Sequence, residues 1–273
     1  MKYFFIDIDN TLTKFLRSVS DENLKALSYV LNHGDQVVLC SGRSSASCEN
    51  IKKTIEEYAK KQMKYGIFSN GGYIVDFSTN QITTNLIPND TVWKIYDYVK
   101  KNKYGLLAYT PETNEQTAVY SMKTWYKLVL FMNKKIDLWK IKDNSILDAY
   151  KLIIYSIPLS HRLPKLIEWI NTNFSTELSV IRTHKYVIEV NKKGINKAFG
   201  INYVKQKEGT IETISIGDSR NDIPSFEATD NSFAVNTKNP VIIKKAKNHI
   251  RKFKNSVAKV IKKVYGLEDD YKF

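Results

Sequence analysis

The chain opens MKYFFIDIDNT over residues 1–11. Tyr3 to Ile6 is a short apolar run suited to a buried strand, and it stops at Asp7, Ile8, Asp9, Asn10 and Thr11. In an open parallel sheet, ligands gather just beyond the carboxyl ends of strands, so two carboxylates at this place invite chemistry. One residue apart they repel each other, and a divalent cation between them would relieve the repulsion. Asp and Asn are also common turn formers, so the segment alone is equally a plain turn.

Two other stretches repeat the pattern. Val37-Val38-Leu39-Cys40 is an apolar run that ends in Ser41-Gly42-Arg43, where a hydroxyl and a permissive glycine backbone suit a phosphate oxygen. Thr213 to Ile216 ends in Gly217-Asp218-Ser219-Arg220-Asn221-Asp222, adding two carboxylates and an amide. Mg²⁺ takes oxygen ligands of this kind, a carboxylate or two together with water and phosphate. Turn chemistry accounts for each stretch singly. It does not account for three of them following three predicted parallel strands. Lys193-Gly194 follows a fourth apolar run, Tyr186 to Val190, and a lysine there would offset clustered negative charge. By charge alone, neighbouring Lys192 serves equally.

Between these stretches the helical signals alternate with the strands. Ser20 is a good N-cap, with Asp21 and Glu22 in the first turn and an apolar face of Leu24, Leu27, Val30 and Leu31 before His33-Gly34. A second helix is expected from about 45 to 61. Strand–helix alternation predicts an α/β fold, a Rossmann-like parallel sheet with helices on both faces. The middle differs. Helices are expected at Val92, Ile95, Tyr96 and Val99 and at Leu163, Leu166, Ile167 and Ile170, among the strands Leu106–Tyr109, Trp125–Phe131, Leu152–Ser156 and Tyr186–Val190. Strands that follow one another without helices predict an antiparallel α+β unit. The reading is a core of residues 1–83 and 187–273, interrupted by a second domain at 84–186.

Composition narrows the classes. At 273 residues the chain can bury a real core, and no apolar run approaches the ~20 residues that cross a bilayer. The aspartates in the opening segment break it as a signal peptide. Cys40 and Cys48 offer neither a disulfide framework nor zinc spacing, so a reducing cytoplasm is expected. The net charge of +14 raises nucleic acid as a partner. Ten Lys or Arg and no acid lie between Lys238 and Lys263, but Val257, Val260, Ile261 and Val264 form an apolar stripe there. That pattern reads as the solvated face of a core-packing helix.

Taken in order, Asp7 to Thr11, Ser41 to Arg43, Lys193-Gly194 and Gly217 to Asp222 resemble the four motifs of the haloacid-dehalogenase-like superfamily, Cof-type sugar-phosphate phosphatases in particular. Phe68-Ser69-Asn70-Gly71-Gly72 and Val235-Asn236 are similar to two further segments of that family. Asn10 departs from its usual glycine, and Thr13 from a frequent apolar residue. The resemblance implies a Mg²⁺-dependent phosphatase of small phosphorylated metabolites, with Asp7 as nucleophile and Asp9 as general acid and base. It also implies phosphoryl contacts from Ser41, Gly42, Lys193 and Asn221. Metal would be held by Asp7, Asp218 and the backbone carbonyl of Asp9, with Asp222 close behind, and residues 84–186 would form an α/β cap. Glu112, Lys123 and Trp125 are polar or aromatic positions in that cap. A phosphotransferase of the phosphomannomutase type and a non-catalytic nucleic-acid-binding regulator are the alternatives. A monomer or weak homodimer without membrane or nucleic-acid partners is expected.

Overall fold

A computed structural model describes all residues except 15–17, 111–116, 121–137, 141–147, 157–161 and 252–253. The expected strand Trp125–Phe131 and the cap positions Glu112, Lys123 and Trp125 fall outside the described residues. Among the described residues, no helix is long and apolar enough to cross a membrane.

The strands in chain order are β1 (Lys2–Ile6), β2 (Gln36–Cys40), β3 (Tyr65–Phe68), β4 (Tyr73–Asp76), β5 (Gln81–Thr84), β6 (Gly105–Tyr109) and β7 (Thr117–Tyr120). There follow β8 (Leu138–Lys140), β9 (Lys151–Tyr155), β10 (Leu178–His184), β11 (Val187–Lys192), β12 (Glu212–Gly217), β13 (Asn231–Val235) and β14 (Asn248–Ile250). The helices used below are α1 (Asp21–Asn32), α2 (Ser45–Ala59), α3 (Asn89–Lys101), α4 (Leu163–Phe174), α5 (Lys197–Glu208), α6 (Ile223–Ala228), α7 (Pro240–Lys245) and α8 (Ser256–Tyr265). The chain divides into two compact units, Met1–Thr83 with Asn196–Phe273, and Thr84–Ile195.

The first unit is α/β as expected. Its sheet runs β14-β13-β12-β1-β2-β3-β4-β5, with β1 parallel to both β12 and β2. Alternation along β1 supplies both faces of the core. Tyr3 and Phe5 pack with Ile201 and Val204 of α5. On the opposite face Phe4 stacks on Tyr265 of α8, 6.0 Å between centroids. Ser20 caps α1 by accepting from the Asn23 amide at 3.4 Å. Asn23 is itself buried; its Nδ2 donates to the Leu12 carbonyl at 3.2 Å and its Oδ1 accepts from Ala258 at 3.1 Å. One side chain therefore ties the loop after β1 to both α1 and α8. Within the basic stretch, Val257, Val260 and Ile261 are buried, so the apolar stripe of α8 faces the core.

The second unit has a six-stranded sheet in the order β10-β11-β9-β6-β7-β8, antiparallel except between β7 and β8. Val92, Ile95 and Val99 of α3 and Leu166 and Ile170 of α4 pack on Leu106, Ala108, Leu152, Ile154, Ile188 and Val190. The expected return to the first unit at 187 comes one strand early. Val187–Lys192 pairs on both sides, with Leu178–His184 and with Lys151–Tyr155, and so belongs to the second sheet.

Candidate active site

Because β12, β1 and β2 are neighbouring parallel strands, Asp218, Asp7 and Ser41 leave the sheet at one edge. The Asp7 amide still donates to the Ile216 carbonyl at 2.9 Å, and that of Ser41 to Ile67 at 2.9 Å. Each side chain is therefore fixed by the last rung of its ladder. Asn10 then turns back with φ of 58°. Asparagine tolerates this left-handed conformation better than most residues, which explains how it stands where the resemblance leads one to expect glycine. The Asn236 amide donates to the Asn10 carbonyl at 2.7 Å and holds the turn.

The sequence reading missed the lysine at the centre. Lys197 is 1 % exposed, and its Nζ donates to Asp7 Oδ1 and to Asp222 Oδ1, each at 2.6 Å. Lys193, the residue expected here, is exposed and lies in the second unit. Its backbone amide donates to the Glu177 carbonyl at 2.6 Å. The signal for Lys197 was present: Asn196 caps α5, and the buried positions Lys197, Gly200, Ile201 and Val204 follow the i, i+3, i+4, i+7 spacing of an inner face. A lysine and a glycine on that face hide the periodicity. Gly200 is required because a Cβ there would come within 2.5 Å of Ile67.

Burial works against the charge of Lys197, but Asp222 and Asp7 outweigh it and hold its pKa above the ordinary lysine value. Burial pushes the Asp7 carboxyl up to about 7; Lys197 opposes the rise, while Asp222 and Asp218 add to it. Burial raises Asp218 to about 7 as well, again with Asp222 adding. These are crowded carboxylates that a cation would relieve. One carboxylate oxygen each from Asp7, Asp218 and Asp222 lies within 4.8 Å of the others. An all-oxygen set fits a hard cation such as Mg²⁺.

The three carboxylates are not equivalent. Asp222 Oδ1 accepts from Lys197, while its Oδ2 accepts from the backbone amides of Asp218 at 3.0 Å and Ser219 at 2.9 Å. Asp222 thus shapes the loop and steadies Lys197, and Gly217 makes room, since a Cβ there would sit 2.3 Å from the Asp222 carboxyl carbon. Asp218 is freer, accepting from Thr11 Oγ1 at 3.2 Å. The Asp9 carboxylate lies outside this cluster. Arg43 holds it with two donors, Nε at 2.8 Å from Oδ2 and Nη2 against Oδ1. The carboxylates brought together among the described residues are thus those of Asp7, Asp218 and Asp222, without that of Asp9.

The expected phosphate contacts are joined through a residue that was not expected to act. The Ser41 hydroxyl accepts from the Arg43 amide at 3.2 Å. Asn70 is buried; its amide donates to the Ser41 carbonyl at 3.0 Å, and its side-chain Oδ1 accepts from Asn221 at 3.1 Å. A Cβ at Gly42 would lie 3.2 Å from both terminal atoms of Asn70. Ser69 and Asn70 both carry positive φ, 50° and 55°, a strained pair of the sort that persists at functional loops. Asn70 thus spans the Ser41–Gly42 turn and Asn221.

Residues 4–261 match the family of haloacid dehalogenase-like hydrolases. The Bacillus subtilis protein 5-amino-6-(5-phospho-D-ribitylamino)uracil phosphatase YcsE is 27% identical over 225 residues, spanning 82% of this chain and 79% of that one. A haloacid dehalogenase-like hydrolase from Bacteroides thetaiotaomicron has a TM-score of 0.81 at 21% identity, over 96% of this chain and 99% of that chain. The subclass IIB sugar phosphatase BT4131 has a TM-score of 0.79 at 18% identity, over 97% and 99%. At these identities the two structures speak for the fold.

Proposed function

This chain belongs to the haloacid dehalogenase-like hydrolases and is by class a phosphoric monoester hydrolase, and we propose that it cleaves phosphate esters of small hydroxylated metabolites through a phosphorylated Asp7. The observation that carries the reading is Asp7 itself, buried at the end of β1 with the Lys197 ammonium 2.6 Å away. An Asp7 oxygen attacks phosphorus, and the bond from phosphorus to the ester oxygen breaks. Asp9, with one oxygen released from Arg43 and protonated, gives that proton to the departing oxygen, then takes one from water as the water attacks the same phosphorus. Phosphate leaves and the Asp7 carboxylate returns.

Ser41, Gly42 and Asn221 provide donors for phosphoryl oxygens, and Lys197 takes the place first given to Lys193 in balancing charge. Arg43 orients Asp9. Asp7 and Asp218 would hold Mg²⁺, with Asp222 behind them and the Asp9 backbone oxygen alongside. The bound ion supplies neutralisation of the negative charge shared by carboxylates and phosphate. The second unit, inserted in sequence between the two parts of the first, acts as a cap that selects the ester. Its relatives' names, a ribitylaminouracil phosphatase and a sugar phosphatase, favour substrates rich in hydroxyl groups.

A panel of phosphorylated sugars and polyols, scored by phosphate release, tests the reading. Mg²⁺ is expected to support turnover, EDTA to stop it, and Ca²⁺ to restore it poorly because its longer bonds misplace the reacting groups. Full activity after exhaustive chelation would remove the metal from the account.

A further inference from the structure

Strand β3 and the turn that follows it hold the start of α5 at two points. On the strand, Gly200 lets Ile67 come close, since a Cβ at Gly200 would stand 2.5 Å from Ile67 Cγ2. In the turn Ser69–Gly71, Gly71 is buried with φ of 90°. A Cβ on it would stand 2.2 Å from the carbonyl oxygen of Asn196 and 2.9 Å from the carbonyl carbon. Ile67 and Gly71 are four residues apart, and so are Asn196 and Gly200. Four residues make just over one helical turn, so both approaches fall on one side of α5. Two contacts along one side stop the helix from sliding and from tilting away.

Lys197 lies between those two points. Asn196 is the N-cap of α5, with extended backbone and an Oδ1 that accepts from the Phe199 amide at 3.2 Å. Its carbonyl shares a planar peptide unit with the Lys197 nitrogen, so displacing one displaces the other. The Lys197 Nζ then reaches Asp7 and Asp222, at 2.6 Å each. The same turn also grips the loop after β2. The Ser69 amide donates to the Arg43 carbonyl at 2.8 Å, and the Asn70 amide to the Ser41 carbonyl at 3.0 Å. Three consecutive residues therefore touch the arginine that holds Asp9, the Ser41 turn and the cap beside Lys197.

We propose that Gly71 and Gly200 are positioning residues that seat the Lys197 ammonium between Asp7 and Asp222. At Gly71 no side chain fits: L residues rarely adopt its φ, and the atom in the way belongs to the backbone, which cannot swing aside. Neither glycine touches a reacting group. Together they set how near α5 lies to β3 and its turn, and so where the ammonium stands relative to Ser41 and Arg43. Their effect on catalysis rests on the phosphatase reading; the seating of Lys197 does not.

The test is a pair of double-mutant cycles joining Gly71→Ala with Lys197→Met. One is read by urea unfolding of metal-free protein, the other by kcat on p-nitrophenyl phosphate. Gly71→Ala is expected to lower kcat about thirtyfold, with KM changed less than about threefold, because a small displacement of the ammonium is felt in the reaction. In the Lys197→Met background the same substitution should lower kcat less than about threefold, since no ammonium is left to misplace. The fall in urea midpoint caused by Lys197→Met should likewise shrink by about half once residue 71 is alanine. Should Gly71→Ala give no folded protein, Gly200→Ala enters both cycles instead, because its Cβ meets the Ile67 side chain and not backbone, and the same coupling is expected. A glycine that serves folding alone gives additive losses, so additivity in either cycle, or an unchanged kcat, overturns the proposal. A wild type inactive on every ester would sink the phosphatase reading instead, and the unfolding cycle would still decide the seating.

Discussion

Lys197 in the first unit and Lys151 in the second are both buried cations, 1 % and 3 % exposed, but they are held in different ways. Lys197 stands on the first turn of α5 between Asp7 and Asp222, two carboxylates from different strand ends. Lys151 stands mid-sheet on regular β structure and pairs with Glu189 from the adjacent strand. Around Lys197 the backbone bends to fit the charges, with positive φ at Asn10, Ser69 and Asn70. Around Lys151 the backbone is an ordinary ladder. Strained loops converge on the buried Lys197, whereas a regular ladder is enough to pair Lys151 with Glu189.

The largest expected contrast comes from removing each ammonium. Lys197→Met leaves Asp7 and Asp222 buried without their cation, which should cost roughly 3–5 kcal/mol of stability in metal-free protein. It should also lower kcat by about a thousandfold. Lys151→Met leaves only the half-buried Glu189 and should cost about 1–3 kcal/mol, with kcat on p-nitrophenyl phosphate little changed. Urea unfolding and steady-state rates read both effects. Equal losses of kcat in the two variants would erase the distinction between the units.

A second contrast lies along α5 itself. Its first residue, Lys197, serves the site; its last, Glu208, accepts from Tyr3 and Tyr65 at 2.6 Å each and from Lys64 at 2.7 Å. Burial opposes the charge of Glu208, but those donors outweigh it and hold its carboxyl below the usual glutamate range. With the folded pKa depressed, the stabilisation is complete above the unfolded value of about 4.3 and fades as pH falls through the folded value. Glu208→Gln should therefore cost about 2 kcal/mol at pH 7, with the gap to wild type closing in acid and turnover unaffected. Urea midpoints taken from pH 7 down to pH 3 check it; a gap that widens in acid would reverse the assigned sign.

The smallest effect sharpens the role of strained backbone. Glycine adopts the positive φ of Asn70 without a Cβ, so Asn70→Gly keeps the turn and removes the amide that meets Asn221. KM and the inhibition constant for inorganic phosphate should rise about tenfold, a loss of roughly 1.4 kcal/mol in phosphate binding, while the unfolding midpoint holds. Asn221→Ala should weaken phosphate binding more than Asn70→Gly does, and the double variant should lose less than the two losses together, because Asn70 acts by holding the Asn221 amide. Fully additive losses would separate them.

How much of this was legible beforehand follows the same divide. Asp7, Ser41 and Asp218 could be found because each ends a short apolar run, and the parallel sheet aligns such ends. The two helices of the second unit were readable from their apolar spacing. Lys197 was not, since the inner face of α5 replaces apolar residues with a lysine and a glycine, leaving Lys193-Gly194 as the more visible candidate. The pairing of the Asp9 carboxylate with Arg43 was not legible either, because nothing in the sequence ties the two residues together across 34 positions. Gly71 was visible only as part of a family segment; its place against the Asn196 carbonyl was not. Contacts formed between distant segments decide all three, and local pattern does not carry them.

The central claim is that Asp7 becomes phosphorylated during turnover. Acid-quenching the wild type and an Asp9→Asn variant during turnover of a good ester, then mapping peptides by mass, tests it directly. The account predicts one phosphoryl group on the peptide containing residue 7, more abundant in Asp9→Asn because its release is slowed, and absent in Asp7→Asn, which should turn over at least a thousandfold more slowly than wild type. A phosphoryl group on another residue, or an Asp7→Asn protein retaining a tenth of the wild-type rate, would contradict it.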